Sequence, residues 1–334
     1  MYCMFVIQLK KWQKSGYRLN RFLVSWVEQY LFNPNFFQKL IGILFFPLTI
    51  LYCIYTTYKR VSAKPLFYGL PVISIGNLLV GGTGKTPVTI ALAKDKKDVA
   101  IVLRGYGRES KGLYVISKNG KVLEDVKTSG DEAMLLANSL PNATVIVSEK
   151  RTDAILKAKE LGCNVVYLDD GYGKHEVVKL DILLRPKVDP SNIFCLPSGG
   201  YRDTPMMYSF ANIVLRDGVD FKRVVTFKQN GKTVEELPEN TVVLTAISKP
   251  NRLLEFLPEN INMVSYPDHH NFTLEDIKNL KQSYPDNPIV VTAKDMVKLE
   301  KFDLKDIYLM DLKVSISAEN IEKVDKYILD HTAK

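Results

Sequence analysis

The rhythm of apolar positions changes near residue 70. Before that point, residues 40–58 (LIGILFFPLTILYCIYTTY) carry no charge and close on Lys59-Arg60. Upstream, Phe22, Trp26 and Tyr30, with Leu23, Val27 and Leu31, recur at helical spacing beside Arg18 and Arg21, which predicts an amphipathic helix. After residue 70, short β-branched runs alternate with helical stretches. Runs at 71–75, 99–103, 144–148, 165–169 and 181–184 predict a mostly parallel sheet with helices on both faces. Further runs at 212–215, 223–227, 241–247 and 288–293, with helical stretches near 249–257, 273–283 and 319–331, predict a smaller second α/β domain. The expected division is an N-terminal segment at 1–64, a larger α/β domain at 65–205 and the smaller one at 206–334.

The uncharged stretch approaches the roughly 20 residues needed to cross a bilayer. Pro47 stands in its middle, and Thr49, Thr56, Thr57 and three tyrosines dilute its apolar character. A cleaved signal peptide is disfavoured, because the segment starts late and lacks a small-residue cleavage site. The reading adopted is a helix in or on a membrane surface, ahead of a true span and of a helix packed on the soluble domain. Charge supports this. Residues 1–64 hold nine basic side chains and one acid, Glu28, so the whole net charge of +8 lies there. A nucleic-acid-binding domain would carry its own basic face, and residues 65–334 are balanced, so nucleic acid is not expected as a partner. Basic groups flanking apolar ones instead favour an anionic membrane surface. Cys3, Cys53, Cys163 and Cys195 are scattered without metal-ligand spacing, which suits a reducing, cytoplasmic compartment. No obligate protein partner is evident.

Between a buried-strand pattern at 72–75 and a helix start at 87–93 lies GNLLVGGTGKTP. Its glycines allow successive backbone N–H groups to turn toward phosphate oxygens. The cradle is read as Leu79, Val80, Gly81, Gly82, Thr83, Gly84, Lys85 and Thr86. Lys85 would reach the β- and γ-phosphates of ATP, and the Thr86 hydroxyl would coordinate Mg²⁺. Leu79 stands where the usual G-x-x-x-x-G-K-[ST] loop has glycine, and Val80 where partitioning-type ATPases have lysine.

Such a loop needs a carboxylate at the end of a neighbouring strand. VVYLDD (165–170) supplies Asp169 as the Mg²⁺ partner and Asp170 as a second metal-side acid. Asp131 opens an apolar-periodic helix, and from the residues alone it reads as a helix cap. Asp268-His269-His270 offers an imidazole in a chain with four histidines, and either His269 or His270 suits proton acceptance from an alcohol.

Taken together, PVISIGNLLVGGTGKTP (71–87), RGYGR (104–108), GDEAMLLA (130–137), LDDGY (168–172), LPSGGYRD (196–203), ISKPNRLLEFL (247–257), YPDHHNF (266–272) and TAKDMVKL (292–299) resemble the tetraacyldisaccharide 4'-kinase (lipid A 4'-kinase) family. The resemblance implies a P-loop NTPase-type α/β fold with a smaller C-terminal α/β domain and an N-terminal membrane-associated helix. It implies transfer of the γ-phosphate of ATP to the 4'-hydroxyl of a lipid A disaccharide precursor, at the cytoplasmic face of the inner membrane. It also implies a catalytic pair at Asp131 and His269, with Asp169 and Asp170 near the metal. Departures are the run Tyr172-Gly173-Lys174-His175, where the family usually has Phe-Gln-His, a shortened segment between Pro87 and Arg104, and Ala293 in place of Glu. The competing class is a membrane-associated NTPase acting as a nucleotide-driven switch. Such a switch needs no proton acceptor for an alcohol.

Overall fold

The computed structural model describes residue 23 and residues 25–247, 250–268, 270–299, 301–302 and 304–332. The chain divides into two compact units. The first comprises the N-terminal region through Ser62, Leu78–Val80 and Val188–Phe210; the second comprises Ala63–Asn77, Gly81–Lys187 and Ala211–Lys334.

In the first unit, residues 25–32 are helical and precede helix α1 (Phe36–Val61). A capping box starts α1: Asn35 Oδ1 accepts the Gln38 N–H at 3.0 Å, and Gln38 Oε1 accepts the Asn35 N–H at 3.0 Å. The helix buries its polar and small residues, Gln38, Gly42 and Thr49. Gln38 Nε2 donates to the Trp26 carbonyl at 3.1 Å. Thr49 Oγ1 donates to Ser198 Oγ at 2.8 Å, and Ser198 Oγ donates to the Gly42 carbonyl at 2.8 Å. Tyr52 donates to the Arg202 carbonyl, and Arg60 pairs with Asp203. The apolar side chains point the other way, with Leu44 76% and Phe37 74% exposed. This inverts the amphipathicity of an ordinary surface helix, which turns its apolar stripe inward.

The second unit contains two sheets. The first is built from β1 (Val72–Asn77), β2 (Val99–Leu103), β3 (Tyr114–Lys118), β4 (Lys121–Val122), β5 (Ala143–Val147), β6 (Val165–Asp169), β7 (Leu180–Arg185) and β8 (Ile213–Arg216), in the order β4-β3-β5-β2-β6-β1-β7-β8. Its pairings are parallel except at the edge, where β3 runs antiparallel to β4 and β5. Strands β1, β2, β5 and β6 are buried at every position, which explains their unbroken apolar runs. Helices α2 (Lys85–Ala93), α3 (Val126–Ser129), α4 (Asp131–Ser139) and α5 (Arg151–Glu160) connect them.

The second sheet has six strands, β9 (Phe221–Gln229), β10 (Lys232–Val234), β11 (Val242–Thr245), β12 (Asn262–Ser265), β13 (Ile289–Thr292) and β14 (Ile307–Ile316), ordered β10-β9-β14-β13-β11-β12. Helices α6 (Leu274–Ser283), α7 (Ala293–Leu299) and α8 (Ala318–Thr332) accompany it. Val88 and Leu92 of α2 share one buried cluster with Ile73 and Ile75 of β1 and with Phe221, Ile316 and Val324. That core fixes the start of α2 at the carboxyl end of β1, where open parallel sheets hold their ligands. The expected mostly parallel α/β architecture is present. The stretch expected as a helix at 249–257 is a short 3₁₀ helix, Pro250–Phe256, which buries no residue.

Candidate active site

Strand β1 delivers the chain into Gly81–Gly84, and Gly84 is the N-cap of α2. Gly81 and Gly84 have φ of 89° and 93°, the left-handed region that L side chains disfavour. No side chain caps α2, which leaves its first-turn N–H groups and the positive end of its dipole suited to an anion. Two arginines hold the loop from behind. Arg223 Nη2 donates to the Thr83 carbonyl at 3.3 Å, and Arg252 Nη1 donates to the Gly82 carbonyl at 2.5 Å. In a planar trans peptide C=O and N–H point oppositely, so anchoring these carbonyls turns the N–H groups of Thr83 and Gly84 the other way.

Lys85 Nζ lies 3.3 Å from Asn77 Oδ1 and 3.7 Å from Asp170 Oδ1. Thr86 Oγ1 donates to Asp169 Oδ2 at 2.9 Å. Asp169 ends β6, beside Ile75 of β1 in the parallel register, so the sheet itself sets the carboxylate next to the loop. Burial pushes the Asp169 carboxyl up to about 7; the nearby Glu132 charge adds to this, and Lys85 opposes it. Its Oδ1 is buried without a hydrogen-bond partner. Asp170 follows in the left-handed conformation with φ of 55°, which Asp tolerates.

The residues present fit Mg²⁺. A small hard cation takes oxygen donors, commonly one or two carboxylates together with substrate phosphates. The Thr86 hydroxyl and the Asp169 carboxylate are such donors, and the orphaned Asp169 Oδ1 is an acceptor that lacks a partner. Among the described residues there is no cluster of three or more His, Cys, Asp or Glu that could hold a metal ion.

Asp131 is the first residue of α4, which packs beside α2. Its Oδ1 accepts the Glu132 N–H at 3.0 Å, so it does occupy a helix-opening position. Oδ2 faces two ammonium groups, Lys294 Nζ at 3.6 Å and Lys298 Nζ at 3.8 Å. Lys294 also meets Asp268 Oδ1 at 3.2 Å and Glu132 Oε1 at 3.7 Å. Burial would lower the Lys294 pKa, but the charges of Asp131, Glu132 and Asp268 together raise it. Lys294 occupies the first turn of α7, where the helix dipole disfavours a cation by about 0.3–1 kcal/mol. The facing carboxylates of Asp131, Glu132 and Asp268 offset that cost.

The fully buried Asp295 organises the same corner. It accepts from the hydroxyls of Thr245 and Thr292, both at 2.8 Å, and from the Ala246 N–H at 3.0 Å. The ends of β11 and β13 are thereby tied to the start of α7.

His270 Nε2 lies 2.9 Å from Asp276 Oδ2, and its ring stacks on Tyr266 at 4.6 Å, so this imidazole is engaged at the capping box of α6. His269 lies outside the described residues. Within the first unit, Leu79 and Val80 have backbone partners of their own. Val80 N–H donates to the Gly200 carbonyl at 2.9 Å, and Leu79 bridges Tyr201. The sequence alone singles out neither Lys294, Lys298, Arg223 nor Arg252; Lys294 and Lys298 lie in the family-like segment TAKDMVKL and Arg252 in ISKPNRLLEFL, whereas Arg223 lies in none.

Comparison with known proteins places the chain in a family. Residues 41–331 match the family model of Tetraacyldisaccharide-1-P 4'-kinase. The tetraacyldisaccharide 4'-kinase of Aliarcobacter butzleri is 57% identical over 297 residues, covering 89% of this chain and 94% of that protein. The enzyme of the same description from Helicobacter pylori is 40% identical over 308 residues, covering 91% and 95%. Among solved structures, LpxK from Aquifex aeolicus in complex with ATP superposes with a TM-score of 0.69 at 27% identity, covering 87% of this chain and 99% of that one.

Proposed function

The chain belongs to the tetraacyldisaccharide-1-P 4'-kinase family, an ATP-dependent kinase family of lipid A biosynthesis, and from that premise we propose how its residues divide the work. The reaction forms a bond between the 4'-oxygen of the tetraacyldisaccharide 1-phosphate and the γ-phosphorus of ATP. It breaks the bond from that phosphorus to the β,γ-bridging oxygen, and the proton of the 4'-hydroxyl must leave.

The N–H groups of Gly81–Thr86 and the Lys85 ammonium bind the β- and γ-phosphates and offset the charge that spreads over the transferring group. Thr86 and Asp169 would hold Mg²⁺, with Asp170 beside them fixing Lys85 through their 3.7 Å contact. When bound, the ion neutralises negative charge on the phosphates. Asp131 Oδ2 accepts the proton of the sugar hydroxyl, and His269 belongs to the same step by the family pattern. The observation that carries this reading is the buried carboxylate of Asp131, opening a helix packed against α2 and held in a cluster of ammonium groups.

We also assign α1 to the cytoplasmic face of the inner membrane. A helix with Leu44, Phe37, Ile43 and Leu51 outward, and its polar residues satisfied inward, has no energetic reason to meet water. Lys59 and Arg60 at its end suit anionic headgroups. In functional terms residues 1–64 then serve the membrane, 65–205 the nucleotide and 206–334 the completion of the site. The test is single-turnover transfer with Asp131→Asn. A fall of about 10²–10⁴ in rate with ATP binding intact is expected, and an undiminished rate would remove Asp131 from the mechanism.

A further inference from the structure

Most of the charge near Asp131 is supplied by groups that the reaction above does not use. Facing its Oδ2 are Lys294 and Lys298, both on α7. Glu132 follows it on α4, and Asp268 approaches from the segment after β12. Asp295 is turned away to the Thr245 and Thr292 hydroxyls and, at 3.3 Å, to Lys298. Arg108, which packs on Gly130, spends its guanidinium on Glu149 at 2.5 Å and on the Gly112 carbonyl at 2.6 Å. Asp169, beyond Glu132, is itself bonded to Thr86.

The two lysines are not equivalent. The Lys298 side chain is 2% exposed, and its Nζ lies over the Phe272 ring at 5.4 Å, held against the fully buried Asp295. Lys294 touches both sides of the site, Asp131 and Glu132 on one and Asp268 on the other. A flexible side chain with a point charge suits this bridging.

We propose that Lys294 is a positioning residue for the phosphoryl transfer. By bridging Asp131 and Asp268 it keeps the Asp131 carboxylate ionised and sets its distance from Asp268. The inference rests on Asp131 being the proton acceptor. An opposite charge this close lowers a carboxylate pKa by about 1–3 units. Without Lys294, Asp131 therefore gains a proton at higher pH, and a protonated carboxyl cannot accept one from the sugar.

The experiment compares wild type, Lys294→Met, Lys294→Arg and Asp131→Asn by pH–rate profiles of lipid phosphorylation, with ATP KM and thermal melting measured on each. Lys294→Met should lose at least tenfold in kcat while its ATP KM stays within about threefold. The acid limb of its profile should move up by about one pH unit or more. Lys294→Arg should return the limb to its wild-type position and recover part of kcat. A Lys294→Met protein with wild-type kcat and an unmoved acid limb would overturn the proposal, as would a kcat loss with no limb shift. Should Lys294→Met fail to fold, Lys294→Arg decides alone. Its limb should stay in place while kcat falls about threefold, and an upward limb shift would count against the proposal. Activity retained by Asp131→Asn would instead strike the underlying mechanism, whatever the lysine variants do.

Discussion

The Thr86 hydroxyl donates to Oδ2 of Asp169 at 2.9 Å, while Oδ1 of the same carboxylate is buried with no hydrogen-bond partner. The pair joins the first turn of α2 to the end of β6 and leaves one strong acceptor unsatisfied beside the phosphate loop. Leaving a buried acceptor unpaired costs about 1–3 kcal/mol, so a ligand that supplies a cation there should stabilise the fold.

The pH dependence follows from the direction of the Asp169 shift. Its folded pKa, pushed up to about 7 by burial and by Glu132, lies above the unfolded value of about 3.9. The protonated carboxyl is therefore the form the empty fold prefers. Stability from this group is complete below pH 4 and is lost as pH rises through about 7. Without ligands, Asp169→Asn should gain in Tm relative to wild type between pH 5 and pH 8. Saturating Mg²⁺ with a nucleotide should erase or reverse that gain. A difference independent of pH would contradict this account of Asp169.

Gly76 precedes Asn77 at the end of β1, and a Cβ there would stand 2.5 Å from the Cβ of Tyr172. Both atoms are fixed by backbone, so neither can swing aside. Gly76→Ala should destabilise the protein by about 1–3 kcal/mol, as overpacking does. It should also raise the KM for ATP, because β1 sets the loop. Urea denaturation and ATP titration check the two effects separately.

Removing the polar contacts of α1 should unseat it within its own unit. Thr49→Val takes away an acceptor from the Ser198 N–H at 3.1 Å and a donor to Ser198 Oγ. The expected cost is about 1–3 kcal/mol, read as a lower Tm in detergent, with kcat on a micellar substrate little changed once the protein is folded.

Changing the outward face should do the opposite. Leu44→Glu with Leu51→Glu alters side chains that are 76% and 62% exposed, so folding should be spared. Flotation with anionic vesicles should fall steeply, and the KM for vesicle-borne lipid should rise while the KM for ATP holds. Unchanged flotation would remove α1 as the membrane contact.

Much of the fold is legible in the chain because β1, β2, β5 and β6 are buried on both faces and read as unbroken apolar runs. Strand β14 escapes that reading. Its half-buried alternation includes Asp311, which pairs with Lys228 of β9 at 2.6 Å, a relation visible only after folding. Helix α7 spans Ala293–Leu299, too short to show a helical period after the apolar run of β13. The loop glycines, Lys85, Thr86 and Asp169 are legible as neighbours, because a strand, a glycine loop and a helix start beside a second strand end bring them together. Lys294 is not, since its partners come from α4 and the segment after β12. The inverted face of α1 is hidden too, because a run of apolar residues does not say which polar neighbour turns inward.

The most direct measurement follows the phosphorus. Purified protein is given γ-labelled ATP, Mg²⁺ and a tetraacyldisaccharide 1-phosphate in mixed micelles, and the lipid product is isolated and its phosphate located by phosphorus–proton NMR correlation. The account predicts one new phosphate per lipid, at the 4'-position, lost in Asp131→Asn and in Lys85→Ala. ATP hydrolysis with no label in the lipid would contradict it and favour a nucleotide-driven switch.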